Sequence, residues 1–256
     1  MNRPWTEFPF ERALEGIRVA GFPGFGLLRH GGRQLISPDS SVEEAAKVAD
    51  TIRQHGLHLL MIPNFITLDR PDDAALAATQ RQIDHCQRLG VQVLLEMGVG
   101  RPEQYDRYVA IMREAAPYAQ ERGVTIAIKP HGGLSRTTAG TLDAVRRVDH
   151  PAYRICFDPG NLVHGPGEQP HESIREMAPY TVAMCIKDTT GSARDTVMVT
   201  PGQGEIDFRT IFGVLRDHGF AGPAVVETLA TGSAPEDVDH QAAQAYHFLA
   251  SLLASL

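Results

Sequence analysis

The feature that most restricts what this chain can fold into is a repeating unit: an amphipathic helix, one glycine, a short apolar strand and a polar turn. Gly56, Gly90 and Gly123 mark it, spaced by 34 and 33 residues. A glycine just past the last helical turn accepts left-handed backbone at little cost, so each ends a helix and releases the chain into a strand. Residues 57–62, 91–95 and 124–128 follow, carrying the runs HLLMI, VQVLL and VTIAI. Short strands so rich in apolar residues need cover on both faces, which helices on a parallel sheet provide. Helical solenoids repeat at a similar length, but their units contain no strands.

The helices between these strands carry their own signals. Ser41-Val42-Glu43-Glu44 reads as a capping box that opens a helix with Val42, Ala45, Ala49 and Ile52 on its apolar face. Pro102 suits the first turn of another, with Tyr105, Tyr108, Val109, Met112 and Ala116 along one side. Further strands are expected at Tyr153–Phe157, 182–186 and Ala224–Val226, and helices at 172–179, 208–218 and 238–252. With 24–28 included, seven strands are placed. The eighth must precede the helix at 11–19, and residues 1–9 leave room only for a short, irregular or missing strand. The expected fold is therefore an α/β (β/α)8 TIM barrel with a short or irregular first strand, one domain over residues 1–256. Residues 189–207 read as a long loop.

Charge and cysteine usage narrow the function classes. The formal net charge is −7, from 24 Lys+Arg against 31 Asp+Glu, which disfavours nucleic acid and anionic membranes as partners. No stretch approaches 18 uninterrupted apolar residues, and residues 1–10 hold no apolar leader, so a cytoplasmic protein is expected. Cys86, Cys156 and Cys185 have no CxxC spacing, which argues against a disulfide framework or a structural zinc site. Each sits in an apolar segment, as small buried hydrophobes do.

In such a barrel the chemistry belongs to the carboxyl ends of the strands. Those ends hold His30, Asn64, Glu96, Lys129 with His131, Asp158 with Asn161, Lys187 with Asp188, and Glu227. Asp158 and Glu227 close strongly apolar runs, where a lone charge is costly unless paired or used. Glu96 reads equally as a ligand contact or a structural ion-pair partner, and Asp188 equally as a turn former or a supporting group. His131 is the histidine that best fits a site, ahead of His164, and Cys185 reads as core. Gly132-Gly133 and Gly202-Gln203-Gly204 are places where backbone could approach a ligand.

Five segments carry a resemblance: IAIKPHGG at 126–133, CFDPGN at 156–161, MCIKD at 184–188, PGQGEID at 201–207 and VVE at 225–227. In order and spacing they resemble the xylose isomerase-like barrel superfamily, which includes sugar isomerases, ketose 3-epimerases, inosose dehydratases and endonuclease IV. The resemblance runs from about residue 11 to the end. It implies one divalent metal held by a glutamate, an aspartate, a histidine and a second glutamate on successive strands. The aspartate is Asp158 and the last glutamate Glu227. Lys129 stands at the first ligand position, Cys185 at the histidine position, and Asn161 where a further histidine is common. A metal retained here, manganese, magnesium or zinc, would be held by Asp158, Glu227, His131 and Cys185. Without one, the Lys129 ammonium would supply charge beside the two carboxylates, or act as a base or Schiff-base former if desolvation lowered its pKa.

The resemblance implies a small carbohydrate or keto-polyol substrate and proton abstraction next to a carbonyl through an enediol or enolate. The expected activity is that of an isomerase or epimerase, with Lys129, Asp158 and Glu227 catalytic and His131, Lys187, Glu96 and Asn161 binding substrate. A lyase or dehydratase acting on a 3-keto-glycoside or inosose is the alternative, and a non-catalytic sugar-binding protein a further one. The acidic balance and the changed ligands argue against a DNA-repair endonuclease. A homodimer follows only from the resemblance.

Overall fold

The computed structural model describes residues 1–230, 232 and 234–256. The elements run α1 (Phe10–Val19), β1 (Gly24–Gly26), α2 (Val42–Gln54), β2 (His58–Asn64), α3 (Asp72–Leu89), β3 (Val93–Glu96), α4 (Tyr105–Glu121), β4 (Thr125–Ile128) and α5 (Thr138–Val148). They continue with β5 (Tyr153–Phe157), α6 (Pro159–His164), α7 (Pro170–Met177), β6 (Thr181–Ile186), β7 (Asp188–Thr190), β8 (Val197–Val199), α8 (Phe208–Asp217), β9 (Ala224–Val226) and α9 (Pro235–Ala254). Seven strands form one parallel sheet in the order β1-β2-β3-β4-β5-β6-β9, the TIM-barrel arrangement expected from the alternation. Among the described residues, no helix is long and apolar enough to cross a membrane.

The local signals act as their chemistry requires. Ser41 accepts from the Glu44 amide at 3.1 Å while Glu44 accepts from the Ser41 amide at 2.8 Å, which closes the capping box of α2. Gly56, Gly90 and Gly123 all take left-handed backbone, with φ of 72°, 72° and 65°. The segment expected to be a plain loop contains the antiparallel pair β7–β8, with Thr189 opposite Met198.

The first strand is irregular, as its short sequence foretells. A 3-10 turn at Arg3–Trp5 replaces it. The Met1 nitrogen donates to the Val226 carbonyl on β9. Asn2 binds the far side, accepting from the Leu28 amide at 2.7 Å and donating to the Leu28 carbonyl at 3.2 Å. Met1 and Asn2 thus bridge the two edges of the sheet where the eighth strand belongs. Trp5 anchors the segment by donating to Asp239 on α9 at 2.8 Å.

Strand alternation creates two cores. One lies between sheet and helices and includes Phe25, Ile62, Leu94, Ile126, Ile128, Ile155, Phe157 and Ile186. The other fills the barrel interior with Met1, Leu28, Met61, Val93, Leu95, Ala127, Cys156, Ala183, Cys185 and Val225. Two residues beyond Ala127, Cys156, Cys185 and Val225 come Lys129, Asp158, Lys187 and Glu227. A period of two keeps them on the inward face, so the charged groups form the next layer above an apolar plug.

Candidate active site

Lys129, Asp158, Lys187 and Glu227 meet as an alternating square of charges. Lys129 Nζ lies 2.7 Å from Glu227 Oε2 and 3.3 Å from Asp158 Oδ2. Lys187 Nζ lies 3.0 Å from the same Asp158 oxygen and 3.1 Å from Glu227 Oε1. All four side chains are at most 3% exposed, so each charge depends on its neighbours for the solvation that water no longer gives. Burial alone disfavours the Lys129 ammonium, but Glu227 and its other neighbours outweigh it and hold its pKa well above the ordinary lysine range. Burial likewise opposes ionisation of Glu227, and the two ammoniums reverse it, holding that carboxyl well below its usual range. Lys129 is therefore a cation, and the base and Schiff-base roles that a lowered pKa would open do not fit it.

Neighbours hold the square in place. Asp158 caps α6, its Oδ1 accepting from the Asn161 amide at 3.0 Å. Its Oδ2 has both ammoniums in ion-pair range, yet no donor among the described residues meets it with hydrogen-bond geometry; the attraction there is Coulombic rather than directed. Asn161 donates to the Pro130 carbonyl at 2.7 Å and accepts from Lys187 Nζ at 2.9 Å, so its amide orients that lysine. Gly160 lets α6 come close, since a Cβ there would lie 2.5 Å from Lys187 Cβ.

His131 stands exposed near this square. Desolvation first, then the two ammoniums, lower its pKa, which leaves the imidazole neutral at pH 7. Arg3, a residue that sequence reasoning missed, reaches Glu227 Oε1 at 3.0 Å with its side chain 53% exposed. The signal was its position in the irregular segment that replaces a barrel strand.

Other strand-end residues turn elsewhere. Glu96 does not join the group: Asn64 donates to it at 2.7 Å, and the Met97 and Gly98 amides donate at 3.0 Å each. Burial pushes its pKa up to about 8 against those three donors. This is the arrangement of a strand-end anchor rather than of a substrate contact. Glu96→Ala leaves the three N–H groups unpaired and is expected to cost roughly 1–3 kcal/mol in urea unfolding. An unchanged midpoint would return Glu96 to the ligand-contact residues. Asp188 accepts from the Thr189, Gly202 and Gly204 amides at 2.9 Å and the Ile206 amide at 3.2 Å, so it organises the 202–206 loop. Gly204 makes way for this carboxylate, since a Cβ there would collide with it, whereas a Cβ at Gly202 would meet the Phe248 ring. His30 is buried against the Phe8 carbonyl, and His164 is exposed at the end of α6.

The family expectation of a metal can be tested on these groups. Asp158, Cys185 and Glu227 do bring one ligand atom each within 4.8 Å of one another. However, the two ammoniums lie against both carboxylates, where a shared cation would have to sit. Burial first, then the Cys156 sulfur 3.6 Å away, pushes the Cys185 thiol well above its usual pKa, so beside the two ammoniums it is a neutral thiol. His131 is outside the cluster. The donor set does not fit a divalent ion.

Comparison with known proteins bears on the fold and the ancestry of this site. Residues 14–252 match the family described as xylose isomerase-like TIM barrel. The chain belongs to that family. An inosose dehydratase from Erwinia tasmaniensis is 27% identical over 143 residues, covering 49% of this chain and 48% of that enzyme. The chain thus spans about half the length of the curated relatives of this kind. The L-ribulose-5-phosphate 3-epimerase UlaE of Salmonella paratyphi C is 23% identical over 233 residues, covering 84% of this chain and 81% of the epimerase. D-psicose 3-epimerase from Clostridium cellulolyticum H10 superposes with a TM-score of 0.74 at 18% identity, covering 96% of this chain and 94% of the other. A family member from Mycobacterium smegmatis, solved in complex with magnesium, gives 0.76 at 18% identity, with 97% and 91% covered. At such identities the structural likeness speaks for the fold alone.

Proposed function

We propose that this chain is an enzyme that transfers a proton next to the carbonyl of a small carbohydrate or keto-polyol, acting as an isomerase or epimerase. The observation that carries this reading is the square of Lys129, Asp158, Lys187 and Glu227 at the strand ends of a barrel whose relatives include a ketose-phosphate 3-epimerase. Abstraction of the α-proton puts negative charge on the carbonyl oxygen, and a preset ammonium stabilises it without reorganisation. Lys129 and Lys187 fill that role. Asp158 Oδ2, lacking a directed hydrogen bond, is the carboxylate oxygen with a lone pair to take the proton. Reprotonation by a second donor on the other face of the carbon gives an epimer; return of the abstracted proton by Asp158 to the neighbouring carbon gives an isomer. Neutral His131 exchanges protons at the rim.

The match to inosose dehydratase favours a second reading, in which the same enolate expels a β-hydroxyl as water. One experiment separates them. Ketoses, ketose phosphates and keto-inositols are incubated with the protein in D2O and followed by NMR. The expected result is deuterium at the carbon next to the carbonyl of at least one compound, slowed roughly 100-fold or more in Asp158→Asn. Release of water to give an enone moves the activity to the dehydratase. No exchange from any compound, with substrate recovered unchanged from a tight complex, overturns catalysis in favour of sugar binding.

A further inference from the structure

The charges around the square are unbalanced in a way that selects the ligand. Within the square itself two lysines offset two carboxylates, and Arg3 then adds a third cation on Glu227. Arg3 uses one N–H direction for that contact and keeps the remainder of its fork. A second arginine, Arg29, follows the end of β1, whose backbone Asn2 ties to the same segment as Arg3: Asn2 donates to the Arg29 carbonyl at 3.3 Å. The Arg29 guanidinium carbon lies 4.5 Å from the centre of the Phe65 ring, and the residue is exposed. Among the described residues, no carboxylate comes within ion-pair range of it.

The two other strand-end carboxylates do not neutralise this excess. Glu96 and Asp188 leave the mouth and spend their oxygens on loop amides and Asn64. Phe65 and Met97 pack, partly buried, on the interior core, and Phe65 sets an apolar ring beside the Arg29 guanidinium. All this belongs to a chain whose net charge is −7, so the cations mark this mouth against the general sign of the molecule.

We infer that the ligand is anionic: a small polyol or keto-polyol carrying a carboxylate or phosphate, which Arg29 and Arg3 engage while its carbon face rests on Phe65 and Met97. A guanidinium over an aromatic ring with no carboxylate partner among the described residues suits this, because its N–H groups are available for two oxygens of one oxyanion. The inference rests on the proposed site being the substrate site, and it specifies what that site accepts.

Calorimetric titration of the full chain tests it with matched pairs: D-fructose 6-phosphate against D-fructose, and D-gluconate against D-glucitol. The charged member of at least one pair is expected to bind on the order of tenfold more tightly, with an advantage that shrinks as salt rises. The phosphate pair and the carboxylate pair tell the two oxyanions apart. Arg29→Gln is expected to remove roughly tenfold from the charged member and to leave the neutral member within about twofold. Because Arg29 is exposed, an unchanged melting temperature confirms that the variant is folded. Equal affinity within both pairs, absence of binding in both, or an Arg29→Gln variant that binds as wild type overturns the inference. Charge-selective binding without deuterium exchange defeats proton transfer and leaves this inference standing. Deuterium exchange by neutral ketoses without charge preference does the reverse.

Discussion

Replacing Glu227 by glutamine is expected to destabilise the fold by roughly 3–5 kcal/mol, the range for stripping one partner from a buried ion network. Glu227 faces Lys129, Lys187 and Arg3 at 2.7–3.1 Å, and an amide can accept hydrogen bonds from them but cannot balance their charge. Two ammoniums, each at most 3% exposed, would then share Asp158 alone. The urea midpoint should fall with no change in slope, since the surface exposed on unfolding is the same. Lys129→Met/Glu227→Gln removes one charge of each sign and leaves Lys187 with Asp158. It should recover part of the loss, with a coupling of roughly 1–3 kcal/mol between the two sites. The wild-type-minus-variant difference also has a definite pH profile. Glu227 is held below its ordinary value of 4.5 in the fold, so its contribution is full above that value and disappears as pH falls through the lower folded pKa. Lys129 is held above its ordinary 10.5, so its contribution is full below that value and fades only as pH rises through the higher folded pKa. The difference should therefore be flat between roughly pH 5 and 10 and collapse on the acid side. A Glu227→Gln protein within about 0.5 kcal/mol of wild type would show that the square is not a coupled network.

Much of this site is legible in the sequence because strand alternation is rigid. Lys129, Asp158, Lys187 and Glu227 each stand two residues past a small or apolar inward residue, and that spacing alone places them on one face. Glu96 lies beyond the reach of that spacing. It pairs in register with Ile128, one residue before Lys129, so it shares the outward face with Ile128 and turns to Asn64. A strand end located to within one residue leaves the face undetermined, because one step flips every side chain. Asp188, one residue after Lys187, is turned outward for the same reason. Arg3 was hidden by a different cause: its segment has no period to read, and only the unfilled place between β9 and β1 explains where it lies. Lys187 was visible as a strand-end cation, but its equal share in the square depends on Asn161 and Gly160 across the β5–α6 turn. The β7–β8 hairpin escaped notice because its strands are three residues each, too short to show alternation against a polar background.

Lys129→Glu is expected to convert the site from one that excludes divalent cations to one that binds them, and to reduce turnover on the order of 100- to 1,000-fold. The reasoning is electrostatic. In the wild type, two ammoniums stand against Asp158 and Glu227 and supply together the charge of one divalent ion. A metal entering that space must displace both against attraction from two buried carboxylates, so chelator treatment should leave wild-type activity and melting temperature unchanged. The substitution removes one ammonium and adds a third carboxylate at the position where the family places a metal-binding glutamate. Three buried acids facing Lys187 alone repel one another, and the relief available from a cation becomes large. Manganese or zinc should then raise the variant's melting temperature, with a stabilisation of about 2.7 kcal/mol when the ion is present at about 100 times its dissociation constant. Lys187 still opposes the ion, so Lys129→Glu/Lys187→Met should bind it more tightly than the single variant. Elemental analysis after purification, with and without chelator, reads the bound ion directly. A stoichiometric, tightly held divalent ion in the wild type, lost together with turnover on chelation, would defeat the assignment of the metal's charge to the two lysines.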